Sequence, residues 1–154
     1  MIGVGNRYRS DDGAGPEVAR RIAVTGALAA READGDPAAL LEAWEAADAA
    51  VLVDAVRSGA PTGTIHRFDA SATALPETFR GSTSTHALGL GGAIELGRML
   101  GRLPARVVVY GIEGERFEHG QELSPHVAAA LGELVERVSR EAAALAAEGG
   151  SCTS

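Results

Sequence analysis

The sequence predicts an α/β protein, a three-layer αβα sandwich in which a mostly parallel, mixed sheet lies between two layers of helices. Three observations predict it. Apolar runs of strand length, AAVLVDAV (49–56) and RVVVYGI (106–112), lack the polar alternation of a half-exposed strand and suit strands covered on both faces. Between such runs lie segments whose apolar residues recur at helical spacing. The opening stretch, GVGNRYRSDDGAG before Pro16, passes from a strand through a glycine-rich loop into a helix, and that alternation continues along the chain.

Taken in order, the first strand is short, with only Ile2 and Val4 apolar before a turn at Gly5-Asn6. A central strand is normally longer, so the numbered chain is expected to lack a residue or two of its natural beginning. Asp11 and Asp12 stand in the loop that follows. Pro16 belongs to the first turn of a helix, where its missing N–H has no intrahelical partner. Val18, Ala19, Ile22 and Ala23 form the inward face of that helix, and Thr25-Gly26 ends it. Residues 27–33 make a weak second strand. Asp36 caps, and Pro37 opens, a helix that carries Leu40, Leu41 and Trp44 inward.

The third strand, 49–56, is broken by one carboxylate. Burying it unpaired is costly, so Asp54 is expected at the strand's end, facing a ligand or a loop. A turn cluster (58–63) leads to a short strand at 64–68, reached quickly enough to be a hairpin partner or an edge strand. A polar loop, 81–85, precedes His86 and a helix with Leu90, Ile94 and Leu100 along one side; Ser84 or Thr85 can cap it. After the strand at 106–112, Ser124 caps and Pro125 opens a last helix built on Val127, Leu131, Leu134 and Val138. One domain, 1–146, is expected, with 147–154 a disordered tail that holds Cys152.

Composition excludes several classes. The 154 residues carry 14 basic side chains, all arginine, against 21 acidic ones, a net charge of −7, which argues against a nucleic-acid groove or an anionic membrane surface. No apolar run approaches the roughly 18 residues of a membrane span, and no signal-peptide pattern opens the chain. A single cysteine allows no internal disulfide and no cysteine-based zinc site, which favours a cytoplasmic protein.

The chemistry lies in three polar loops that follow buried elements, each offering a metal-competent side chain: Asp12, Asp54 and His86. Two carboxylates and one imidazole suit zinc, nickel or manganese, and three protein ligands leave a position open for a substrate. A helix N-terminus disfavours imidazolium, which would keep His86 neutral and able to ligate. Plainer roles compete: Asp12 as a helix cap, Asp54 in an Asx-turn, His86 as a hydrogen-bonded helix-start histidine. Asp11 is expected to be exposed or to hydrogen-bond behind a ligand; His66, His119 and His126 are expected to be structural or bland. Gly3-Val4-Gly5 begins like a dinucleotide fingerprint, but Tyr8 stands where the third glycine belongs. No phosphate loop, HExxH or nucleophile elbow is present.

GVGNRYRSDDGAG, VLVDAV with the following PTGTI, STHALGL, and the late VVYGIEGE and LSP together resemble, over about 3–138 and in the same order, the hydrogenase maturation proteases. These are the endopeptidases that trim the large subunit of [NiFe] hydrogenases. The resemblance implies a five-stranded sheet of order 2-1-3-5-4 with strand 4 antiparallel, which sets strands 1 and 3 side by side. Asp12 and Asp54 would then meet at the topological switch point. It further implies that Asp12, Asp54 and His86 are both the metal-contacting and the catalytic residues. By the same resemblance the metal would be nickel carried by the precursor, and the reaction would be removal of the precursor's C-terminal extension. The expected partner is the nickel-loaded large-subunit precursor, with neither nucleic acid nor membrane involved. Two departures stand out: the shorter first strand, and Gly114 where many members have proline. The rival functions are a non-catalytic metal-sensing escort of the precursor and a small-molecule hydrolase or phosphorylase on a related scaffold.

Overall fold

The computed structural model describes residues 1–80 and 89–150. Five strands, β1 (Ile2–Val4), β2 (Arg31–Ala33), β3 (Ala49–Val56), β4 (Ile65–Asp69) and β5 (Arg106–Glu113), form one sheet in the order β2-β1-β3-β5-β4. β1 runs parallel to β2 and β3, β3 is parallel to β5, and β4 is antiparallel to β5. The predicted fold class and strand order are therefore those observed. The short strand is an edge strand on β5 and not a hairpin partner of β3.

Five described helices cover the sheet: α1 (Ala14–Thr25), α2 (Pro37–Ala43), α3 (Glu77–Arg80), α4 (Gly89–Met99) and α5 (Pro125–Gly150). Alternation along β3 splits the core in two. Ala50, Leu52 and Val56 pack with Leu40, Leu41, Trp44, Leu90 and Ile94 on the α2–α4 face. Val51, Val53 and Ala55 pack with Val18, Ile22, Val127, Leu131, Leu134 and Val138 on the α1–α5 face. Both faces of β3 and β5 are thus sealed, the physical reason their sequences are almost unbroken apolar runs. Trp44 keeps its indole N–H satisfied within the core by donating to the Arg102 carbonyl at 2.9 Å.

Several local expectations hold and several do not. The Asp36 carboxylate accepts from Ala39 N at 3.0 Å as the α2 cap, and Gly26 closes α1 at φ 67°. Ala23 and Leu100, expected inward, are exposed. Ser124 precedes α5, but its hydroxyl donates to Asp11 at 2.7 Å. α5 continues to Gly150, past the domain boundary expected at residue 146. The short helix α3 has no counterpart in the sequence reading. The loop at 81–85 and His86 lie outside the described residues.

The glycines of the opening stretch have a steric cause. A Cβ at Gly15 would stand 2.4 Å from the Val4 carbonyl oxygen and 2.6 Å from that of Val53. The start of α1 therefore rests directly on the seam between β1 and β3, with no room for a side chain. Gly15→Ala is expected to cost about 3 kcal/mol or more, because the obstruction is backbone that cannot move aside. Chemical denaturation measures this, and an unchanged midpoint would contradict it.

Candidate active site

Asp12 lies in a 3-10 turn, Ser10–Gly13, between β1 and α1. Its carboxylate does not cap α1, whose cap position is Gly13 with no side-chain hydrogen bond. Instead Asp12 Oδ2 accepts from Asn6 N at 2.9 Å, and the side chain is buried, at 4% exposure. Gly5, at φ 139°, presses against the same turn: a Cβ there would meet the Asp12 carbonyl oxygen at 1.9 Å. The GVGN turn thus holds Asp12 at the carboxyl end of β1.

Asp54 departs from expectation. It stands within β3, in register with Gly111 of β5, and the strand continues through Ala55 and Val56. The pairing with β5 keeps the backbone extended beyond the carboxylate, which leaves no Asx-turn. By strand alternation the side chain occupies the α2–α4 face, between Leu52 and Val56, in a row otherwise apolar. Burial, and after it the negative charge of Asp12, push the Asp54 carboxyl well above the usual carboxylate range, while the Ala55 N–H opposes the rise.

Two of the three expected ligands are therefore brought together from neighbouring strands at the β1–β3 switch point, each buried and each within the other's field. Among the described residues no group of three His, Cys, Asp or Glu side chains could hold a metal ion; the third expected ligand, His86, lies outside them. A cation between Asp12 and Asp54 would relieve both the burial cost and the mutual repulsion. The donor set thus fits a divalent metal.

Neighbouring residues do work that the sequence did not reveal. Asp11, expected exposed or behind a ligand, is fully buried and is a structural acceptor. It takes hydrogen bonds from Glu115 N (2.9 Å), Arg116 N (3.0 Å), Ser124 N (2.7 Å) and Ser124 Oγ (2.7 Å). Burial acts to raise its carboxyl, but these donors prevail and hold it below the usual range. Glu113, also buried, accepts from Ser58 N and from the Ser58 hydroxyl, and lies 3.2 Å from His66 Nε2. Its signal was a second carboxylate closing an apolar strand, the pattern already noted at Asp54. His66 packs edge-on to Phe79, 5.1 Å between ring centres, and Phe79 lies over Gly111. His126 stands in the first turn of α5 and lies against Gly63 through its carbonyl group and Cβ.

A doubly wound sheet with two buried carboxylates near its switch point defines the class: an α/β protein whose candidate site lies at the carboxyl ends of its strands. The family model for hydrogenase maturation protease (HycI) matches residues 20–141, well over half the chain; that span includes Asp54 and His86 and begins after Asp12. The solved structure of the hydrogenase maturating endopeptidase HybD from E. coli is similar. It has 25% identity and a TM-score of 0.72, and the match covers 89% of this chain and 86% of that one. The [NiFe] hydrogenase maturation protease HycI from Thermococcus kodakarensis KOD1 is similar too. It has 25% identity and a TM-score of 0.68, with 90% and 88% of the two chains covered. No curated protein matches the sequence. The chain belongs to the hydrogenase maturation protease family, and its activity is that of a maturation endopeptidase. No helix among the described residues is long and apolar enough to cross a membrane.

Proposed function

We propose that this protein is the cytoplasmic endopeptidase that removes the C-terminal extension of a nickel-loaded [NiFe] hydrogenase large-subunit precursor. In this reading the nickel arrives with the substrate, and Asp12, Asp54 and His86 complete its coordination. The observation that carries it is the buried Asp12–Asp54 pair at the switch point, whose burial cost and mutual repulsion a shared cation would relieve.

Nickel carried by the precursor supplies a Lewis acid beside the scissile carbonyl and couples cutting to metal loading. The protein's part is positional. The Asn6 N–H fixes one Asp12 oxygen and so orients the carboxylate. β3 and β5, paired over all eight residues of β3, keep Asp54 on a rigid element.

The test is to incubate the purified protein with nickel-loaded and with metal-free precursor. Shortening of the loaded form alone is expected. Cleavage of both forms alike would overturn the nickel dependence, and binding of the loaded form without cleavage would identify an escort. Asp12→Asn and His86→Ala are each expected to abolish processing while the far-ultraviolet circular dichroism spectrum stays native.

A further inference from the structure

Resting on the reading just given, we infer that an extended segment of the precursor flanking the cut bond lies in the groove between the GVGN turn and β2, with an apolar side chain set against Tyr8.

The groove, of about 660 Å³, is walled by the 5–8 loop and Pro16 on one side and by Glu32, Ala33 and Asp34 on the other. That size falls within the roughly 300–1,000 Å³ of ligand clefts. It opens beside the candidate active site, because its lining residue Asn6 is the one whose N–H holds Asp12 Oδ2. Two other hollows, of about 290 and 380 Å³, lie at the amino ends of the strands, around Met1 and Ala49, away from both carboxylates.

Tyr8 is the feature that calls for an occupant. Its side chain is 57% exposed, and the other exposed large apolar residues among those described, Val24, Met99 and Leu100, lie where α1 and α4 end. Its backbone is nevertheless fixed on both sides. Tyr8 N donates to Asn6 Oδ1 at 2.9 Å, and the Tyr8 carbonyl accepts from Gly120 N at 2.9 Å. An aromatic ring presented on a rigid loop loses little entropy on binding, which is how recognition surfaces use tyrosine. The Arg7 guanidinium pairs with Glu32 across the groove and ties the loop to β2.

β2 adds backbone recognition. Arg31 N donates to the Met1 carbonyl and the Ala33 carbonyl accepts from Gly5 N, so both face β1. Strand alternation then turns the N–H and C=O of Glu32 outward, along the sheet's edge. An extended chain can take up such groups as an added strand, whereas a folded surface would need a flat patch. The occupant is therefore chain on one side of the scissile bond.

Steady-state processing of nickel-loaded precursor by wild type, Tyr8→Ala and Tyr8→Phe tests this. Tyr8→Ala is expected to lower kcat/KM about tenfold, mostly through KM, while Tyr8→Phe stays within about twofold, since the ring and not the hydroxyl makes the contact. Melting temperatures should match, because the side chain packs on little in the free protein. A Tyr8→Ala enzyme within twofold of wild type, or one that loses kcat at unchanged KM, overturns the inference. A wild-type protein that leaves loaded precursor uncut would bring down the underlying reading instead.

Discussion

Asp54→Asn should abolish precursor cleavage, by about two to four orders of magnitude, while making the metal-free protein more stable at neutral pH. The two effects share one cause. Burial and the nearby Asp12 charge raise the Asp54 carboxyl, so the native state binds that proton more tightly than the unfolded chain does. The resulting stabilisation is complete below the unfolded carboxylate value, about pH 4, and is lost as pH rises through the raised native value. Asparagine has the same shape and no charge to bury. Denaturation midpoints measured from mildly acid to neutral pH should therefore fall for wild type and stay flatter for the variant, and added nickel should stabilise wild type alone. A variant less stable than wild type at pH 7, or one that still cuts, contradicts the assignment.

Asp11→Ala should be among the most damaging substitutions for folding, at about 3–5 kcal/mol, because it removes at once the acceptor shared by three residues, with the two Ser124 donors left buried. Glu115, Arg116 and Ser124 all lie between β5 and α5 or at the start of α5, so their shared acceptor ties that segment to the turn carrying Asp12. The sign with pH is opposite to that of Asp54. The donors outweigh burial and hold the Asp11 carboxyl low, so its stabilisation is present above about pH 4 and fades as pH falls through the lower native value. Wild type is then expected to be most stable in mildly acid solution, gaining from Asp11 and not yet losing to Asp54. Urea titrations across that range check it; a midpoint that climbs steadily to pH 8 without metal would refute it.

How far the molecule could be read from its letters follows from range. The apolar run at 49–56 and the spacing of Val127, Leu131, Leu134 and Val138 are local signals of burial, and each led to an element that exists. Asp36-Pro37 and Thr25-Gly26 marked helix ends because caps are decided within a turn of chain. Asp54 was misplaced at the strand's end because the pairing with β5 that carries β3 on to Val56 joins residues more than fifty positions apart. Asp11 was misjudged for the same reason: all four of its side-chain donors lie more than a hundred residues away. The helix α3 is four residues long, too short for any periodicity to show. The nearness of Asp12 to Asp54 came from the resemblance and not from spacing, since only the strand order makes β1 and β3 neighbours.

The most direct measurement is anomalous diffraction from crystals soaked in nickel and collected on both sides of the nickel absorption edge. The account predicts one ion within coordination distance, about 2.0–2.2 Å, of an oxygen of Asp12 and an oxygen of Asp54, with the His86 imidazole as the third protein ligand. Nickel bound elsewhere, with the two carboxylates left without a shared ion, would contradict it.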